Sequence, residues 1–427
     1  MSRRPIDDLL PAYLGRQRWF AGPPPDEVVV AERRELASGL EWLLVDAGTA
    51  RYQVVVGYRP ADAPPDGVAG HEAAVLGRVG DELAFDATLD PHFATDLLHV
   101  VVPDEEVQFV RPMGAEQSNT SLVFDERLVL KLFRRLQPGP NPDVEITTAL
   151  ATAGFTSVAA PVGVWREDEV DLAVCTPYLA GGTEGWALAL TSLRDFYAAE
   201  VDDPASAGGD FAAESGRIGH VTAEMHLGLA RAFGTQPADP AAWASLVEAQ
   251  VARLEPDDVD AVAVKDFVER LRAVTSAGVA VRVHGDYHLG QVMRTDTGWY
   301  VLDFEGEPAR PVHERRVPSS PLKDVAGMLR SLQYAAASAA AERDEQEQER
   351  LGPLAEAWER RNRMAFLRGY LGADGIEELL PPAGPDRHAV LAAFELDKAV
   401  YEVLYERAHR PDWIEIPRRA VRKLLDG

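Results

Sequence analysis

The residues best able to do chemistry sit in one short stretch, His284-Gly-Asp-Tyr-His-Leu-Gly-Gln-Val-Met-Arg-Thr-Asp-Thr-Gly-Trp-Tyr-Val-Leu-Asp-Phe-Glu305. Asp296-Thr297-Gly298 is turn chemistry, because Asp and Gly tolerate the backbone angles of a tight reversal. The β-branched, aromatic and aliphatic residues on either side predict a hairpin. A three-residue loop sets Thr295 opposite Trp299, Met293 opposite Val301 and Gln291 opposite Asp303. Opposed side chains have Cβ atoms about 4.5–5.5 Å apart, a separation that suits two oxygen ligands of one hard cation. Asp286 lies in the loop entering the first strand, so the stretch is expected to form a metal-assisted catalytic site. A second signal is Lys131, a charge inside the apolar run Leu128-Val-Leu-Lys-Leu-Phe133, where it needs a partner. The helix expected after it, with Pro142 in its first turn, carries Asp143 and Glu145 near its start, and Glu145 is the expected partner.

The elements that must position these groups follow from the chain as a whole. Its 427 residues allow two or three domains at roughly 150 residues each. Residues 1–97 combine a short helix, Gln17-Arg-Trp-Phe-Ala-Gly22 and alternating strands, with Trp19 and Phe20 read as core anchors. Residues 98–180 read as strand, polar loop, strand, turn, strand, helix, ending before Gly181-Gly182. Residues 181–427 are mainly helical, with the hairpin inside them and a long last helix bearing Tyr401, Glu402 and Tyr405, then Trp413. The 43 basic against 69 acidic residues give −26, which disfavours nucleic acid and anionic membranes as partners. No apolar run approaches the ~18 residues of a membrane span, no signal-peptide core is evident at the start, and one cysteine excludes an intrachain disulfide. A cytoplasmic protein, a monomer or simple homo-oligomer, is expected.

Three chemistries compete for this constellation. His284, Asp286 and His288 superficially suit a zinc hydrolase, but zinc wants three or four converging ligands, and that reading leaves Lys131 and Glu145 idle. A non-catalytic, kinase-like sugar-binding protein is the second. Phosphoryl transfer from ATP uses every unusual residue: it needs positioning, charge neutralisation by Mg²⁺ and a carboxylate to orient the acceptor hydroxyl. Mg²⁺ favours oxygen ligands and waters, which fits Gln291 and Asp303.

At these residues the chain resembles the aminoglycoside phosphotransferase-like kinases, whose catalytic loop reads His-Gly-Asp-x-x-x-x-Asn; here Gln291 takes the last place. More narrowly, His284-Gly-Asp-x-His-Leu-Gly-Gln291, Leu302-Asp-Phe-Glu-Gly-Glu-Pro-x-Arg-Pro311, Ser320-Pro-Leu-Lys-Asp-Val-Ala-Gly-Met-Leu-Arg-Ser331 and Gln17-Arg-Trp-Phe-Ala-Gly22 resemble the actinobacterial maltokinase-like family. The resemblance implies an α+β, bilobal protein-kinase-like fold with an N-terminal α/β cap (1–97), a nucleotide-binding lobe (98–180) and a helical lobe (181–427). It implies Asp286 as catalytic base, Gln291 and Asp303 as Mg²⁺ ligands, and Lys131, held by Glu145, on the ATP phosphates. Ser118, Asn119 and Thr120 take the phosphate-covering loop, and Thr176 to Tyr178 the adenine-contacting segment. His284 is read as a support of the loop. Sugar contacts are sought among His288, Glu305, Glu307, Arg310, Tyr401, Glu402, Tyr405 and Trp413. Known activities of such proteins are phosphorylation of maltose at its anomeric hydroxyl and of glucosamine at its 6-hydroxyl. Tyr287 stands where maltokinases have Leu, the chain is shorter, and acids around the site would suit an ammonium group. The expectation is therefore glucosamine to glucosamine 6-phosphate, with maltose 1-phosphate as the alternative.

Overall fold

The computed structural model describes residues 5–20, 22–114, 118–199, 201–255, 258–307, 312–341 and 343–426. It separates into two compact units, Met1–Thr148 with Ala159–Ala180, and Ala149–Val158 with Gly181–Gly427.

The first unit runs α1 (Leu10–Leu14), β1 (Val29–Ala37), β2 (Leu40–Ala47), β3 (Ala50–Pro60), β4 (Val75–Val79), β5 (Glu82–Asp86) and α2 (Pro91–Val101). It continues with β6 (Val110–Pro112), β7 (Thr120–Phe124), β8 (Leu128–Leu132), β9 (Arg135–Leu136), the start of α3 (Pro142–Thr152), β10 (Gly163–Glu167) and β11 (Val170–Pro177). One antiparallel sheet has the order β1-β2-β3-β5-β4, with β9 added on β3, and a second is ordered β10-β11-β8-β7-β6. Side chains alternate between the faces of a strand, and β2 and β3 use both. Leu43, Val45, Tyr52, Val54 and Val56 pack with Tyr13, Leu14 and Trp19. Leu40, Trp42 and Val55 instead join Phe93 and Leu97 of α2, together with Leu122, Leu130 and Val174 of the second sheet. Trp19 is buried, with its ring 6.1 Å from Tyr13 and 6.0 Å from Tyr52, the core role read from the sequence.

A buried ion pair joins these layers. Arg134 is 1% exposed, and its Nη2 donates to Asp86 Oδ1 and Oδ2 at 2.9 and 2.7 Å. Tyr13 Oη donates to Asp86 Oδ2 at 2.7 Å, and Arg134 Nε donates to Thr120 Oγ1 at 2.8 Å. Burial opposes the charge on Asp86, but the Arg134 guanidinium and the hydrogen bonds from Thr88 and Tyr13 outweigh it and hold the carboxyl below its ordinary range.

The second unit contains β12 (Thr183–Glu184), α4 (Gly185–Ala198), α5 (Ala212–Phe233), β13 (Thr235–Pro237), α6 (Pro240–Val251), α7 (Ala261–Arg272) and β14 (Val279–Val281). The hairpin β15 (Val292–Thr295) and β16 (Gly298–Val301) follows, then α8 (Val312–Arg315), α9 (Leu322–Ala341), α10 (Glu345–Leu371), α11 (Pro385–His409) and α12 (Glu415–Asp426). Helices α5 and α10 meet backbone to backbone: a Cβ on Gly369 would lie 1.9 Å from the Gly216 carbonyl, and one on Gly219 2.1 Å from that of Phe366. No described helix is long and apolar enough to cross a membrane.

The Asp86 pairing predicts a pH signature. A carboxyl with a depressed folded pKa contributes stability that is present above its unfolded pKa, near 4, and lost as pH falls through the folded value. Asp86→Asn should cost about 3 kcal/mol at neutral pH, and the deficit should shrink below about pH 4. Urea unfolding at pH 7 and pH 3.5 checks this, and a pH-independent deficit would contradict it.

Candidate functional site

Asp324, near the start of α9, fixes the catalytic loop. It is 1% exposed and accepts hydrogen bonds from the backbone N–H of His284 (2.8 Å) and Gly285 (2.9 Å) and from His226 Nε2 (3.0 Å). Burial opposes its charge, but the His226 hydrogen bond and the surrounding donors outweigh it, so the carboxyl lies below its ordinary value. Gly285 has φ +88°, a left-handed turn that glycine adopts without strain. Gly327, one turn along α9, lets the loop seat: a Cβ there would meet the Tyr287 carbonyl at 2.5 Å. His284 Nε2 lies 2.8 Å from the Leu302 carbonyl and donates to it, tying the loop to the end of the hairpin.

The hairpin register differs from the expected one. Thr295 pairs with Gly298, Arg294 with Trp299, Met293 with Tyr300 and Val292 with Val301, a two-residue loop rather than three. Gln291 therefore sits opposite Leu302, whose N–H donates to the Gln291 carbonyl at 2.9 Å. A one-residue slip sends side chains to the other face, yet Gln291 Nε2 still lies 3.2 Å from Asp303 Oδ2. Both residues have left the ladder. Gln291 closes the 3-10 turn Leu289–Gln291, and Asp303 has φ +57°, a left-handed conformation that Asp tolerates better than most residues.

The acceptor-side residues surround a cation that the sequence reading passed over. Lys398 Nζ, on α11, donates to Asp286 Oδ1 at 2.9 Å and to Glu307 Oε1 at 3.3 Å, and lies 4.8 Å from the centroid of the Tyr401 ring. Burial opposes charge on Asp286, but the Lys398 ammonium outweighs it and keeps the carboxyl below its ordinary value. Burial pushes the His288 imidazole down to about 4. Its Nδ1 accepts from the Gly290 N–H at 3.0 Å, so the neutral ring carries its proton on Nε2 and offers it as a donor. Glu402 is held by Arg330. Glu305 gives its carbonyl to Arg315 at 3.2 Å. Tyr405 is exposed and stacks on His409 at 4.3 Å, while Trp413 stacks with Tyr334 at 6.3 Å. Arg410 lies between Tyr405 and Trp413, 5.8 and 5.4 Å from their rings. Arg310 is outside the described residues. Glu307 and Glu402, two of the acids expected to suit an ammonium group, thus have cations of their own, and Tyr287, 1% exposed with its hydroxyl 2.9 Å from Thr222 Oγ1, packs inward rather than toward an acceptor.

In the first unit, Lys131 reaches the N-terminal turn of α3, where its Nζ lies 3.3 Å from Asp143 Oδ2 and where Glu145, the expected partner, also sits. Ser118 is exposed, Asn119 half-buried, and Thr120 already accepts from Arg134. Tyr178 donates its N–H to the Arg127 carbonyl at 2.7 Å and its hydroxyl accepts from Arg111 at 3.1 Å, so that N–H is not free for an adenine. Thr176 lies in β11 opposite Val129.

Comparison with known proteins then decides the family. The phosphotransferase enzyme family matches residues 110–370 and the maltokinase N-terminal cap domain matches residues 13–90. This chain belongs to the phosphotransferase enzyme family. A glucosamine kinase of Mycolicibacterium smegmatis is 31% identical over 331 residues, 74% of this chain and 79% of that protein. One of Streptacidiphilus jiangxiensis is 30% identical over 391 residues, 85% and 82% of the two chains. The fold matches a solved glucosamine kinase in complex with glucosamine, ADP and inorganic phosphate, with TM-score 0.66, 23% identity and full coverage of both chains.

As a phosphotransferase, the chain is an enzyme of the kinase-like bilobal α+β type, and the zinc-hydrolase and non-catalytic readings fall. Among the described residues, no three or more His, Cys, Asp or Glu side chains are grouped as a metal site. The Gln291–Asp303 pair is instead the sparse, hard-oxygen set suited to a cation that takes its remaining ligands from water and phosphate. Two positioning groups escaped the sequence reading, Asp324 and Lys398. The signal that exposed Lys131 was available for Asp324, a charge embedded in the apolar helix Leu322-Lys-Asp-Val-Ala-Gly-Met-Leu.

Asp324→Ala would strand two buried backbone donors and one imidazole donor, each costing about 1–3 kcal/mol. The variant should lose at least ~3 kcal/mol of stability and most of its turnover. A denaturant-measured loss under ~1 kcal/mol would overturn this role.

Proposed function

We propose that the protein transfers the γ-phosphoryl group of ATP to the 6-hydroxyl of glucosamine, giving glucosamine 6-phosphate and ADP. The observation that carries the reaction type is the placement of Asp286, a loop carboxylate whose Oδ1 is held 2.9 Å from Lys398 Nζ, in a chain of the phosphotransferase family. The acceptor rests on the two glucosamine kinases, similar over 74% and 85% of this chain. An ATP donor suits a cytoplasmic place of action.

Each residue then has a task. Asp286 accepts the proton of the attacking hydroxyl, which raises that oxygen's nucleophilicity as the bond to phosphorus forms. His288, neutral with a donor on Nε2, orients an acceptor oxygen. Lys131, steered by Asp143, lies on the nucleotide phosphates, and Ser118 with Asn119 covers them. Gln291 and Asp303 hold Mg²⁺, which when bound neutralises charge on the transferred phosphate. Asp324 keeps Asp286 in register with the hairpin.

A second acceptor is favoured by one observation. Asp286 and Glu307 share Lys398, Glu402 has Arg330 and Glu406 has Arg410. Acids whose charge is already balanced suit a neutral sugar, and maltose phosphorylated at its anomeric hydroxyl is that alternative.

ATP consumption with glucosamine, glucose, N-acetylglucosamine and maltose, with phosphorus NMR of the product, separates the two. A 6-phosphate from glucosamine is expected; an anomeric phosphate from maltose at higher kcat/KM would replace it. Asp286→Asn should lower kcat by about 10²–10⁴-fold with the fold intact. Asp303→Ala should raise the Mg²⁺ concentration needed for half-maximal rate at least ~10-fold, and an unchanged Mg²⁺ titration would remove the hairpin from metal binding.

A further inference from the structure

The acceptor side contains a cation that phosphoryl transfer does not of itself require. We propose that Lys398 is a positioning residue for the reaction: it clamps one oxygen of Asp286 and so leaves the other, in a fixed orientation, to take the acceptor hydroxyl's proton. The inference rests on Asp286 being the base.

The geometry singles out the two carboxylate oxygens. Oδ1 accepts from Lys398 Nζ at 2.9 Å. Oδ2 has no hydrogen-bond partner among the described residues, and the Asp286 side chain keeps 21% of its surface exposed. The terminal torsion of an aspartate is broad, and an untethered carboxylate would present either oxygen over a wide angle. A bond to one oxygen removes that freedom, and such misplacement is what costs rate.

Lys398 is itself held. Its ammonium is anchored on the far side by Glu307 Oε1 at 3.3 Å, a side chain 4% exposed, and it lies 4.8 Å from the centroid of Tyr401, one turn along the same helix. A four-carbon side chain gives up considerable rotamer entropy to sit in one place, and two carboxylates with an aromatic face offset that cost. The anchoring helix α11 packs on α9, and its Leu396, Val400 and Val403 are buried. The clamp and the Asp324 anchor on the catalytic loop therefore start from neighbouring helices.

A simpler role for Lys398 would be to neutralise buried Glu307. Four variants distinguish the two. Lys398→Met should lower kcat about 10²-fold with KM for ATP unchanged, and Lys398→Arg, whose guanidinium can also reach both carboxylates, should recover most of that loss. Glu307→Gln, which loosens the anchor of Lys398 but leaves its bond to Asp286, should lower kcat less than Lys398→Met does. The double variant Lys398→Met/Glu307→Gln removes the Glu307 charge together with the Lys398 ammonium it contacts; its kcat should stay as low as that of Lys398→Met. Recovery of kcat in the double variant, or no loss in Lys398→Met, overturns the clamp. Retained turnover in Asp286→Asn instead overturns the base assignment, so the two failures are distinguishable.

Discussion

The buried carboxylate of Asp324 is the constraint on which the second unit's chemistry depends. One side chain from the start of α9 takes the N–H groups of His284 and Gly285 and the imidazole of His226. Those two N–H groups belong to a sharp turn that cannot bond to itself, and a buried amide without an acceptor is costly. Satisfying them from a helix rather than from a loop converts a flexible connection into a fixed platform. Everything reactive on this unit is placed from there: Asp286 two residues on, His284 against the Leu302 carbonyl, and through that contact the Gln291–Asp303 pair. The cost is a charge in the interior, and three donors are what keep it ionised.

A second theme is charge compensation. The chain carries −26, yet Asp286 and Glu307 share Lys398, Glu402 has Arg330 and Glu406 has Arg410. The excess negative charge is therefore a property of the whole surface, where it favours solubility, and it does not measure the field at the acceptor. The first unit uses the same device differently. Arg134 and Asp86 are almost fully enclosed and serve to fix the layers of sheet against each other, and their pairing reaches Thr120 at the start of β7.

Much of this was legible in the sequence, and the parts that were not share a cause. The hairpin, the strand bearing Lys131 and the helix starting at Pro142 were readable because turn residues and hydrophobic period are local signals. Partner choice is not local. The Lys131–Asp143 contact depends on how α3 rotates against β8, and the local pattern does not give that rotation. The bearing of Tyr287 is hidden for the same reason: adjacency to Asp286 in sequence says nothing of which side of the loop a ring takes. Lys398 lies 112 residues from Asp286, on a helix whose pattern shows only a surface lysine before an aromatic pair. Its importance exists only once α11 is packed.

The Gln291–Asp303 pair shows how two side chains can meet although the register expected for them is wrong. The register assumed a three-residue loop, and the true two-residue loop shifts every cross-strand partner by one. Had both residues been ordinary members of the ladder, the slip would have sent their side chains to opposite faces. They meet because each is released from the strand, Gln291 by a tight 3-10 turn and Asp303 by a left-handed backbone. That conformation costs a non-glycine residue roughly 1–2 kcal/mol, and strain of this size persists only where surrounding contacts over-determine it. Here the His284–Leu302 bond fixes the residue just before Asp303 and the Arg315–Glu305 bond fixes the chain two residues after it. A strand that simply continued would avoid the strain and lose the carboxylate–amide pair, so the strained backbone is what brings Asp303 to Gln291.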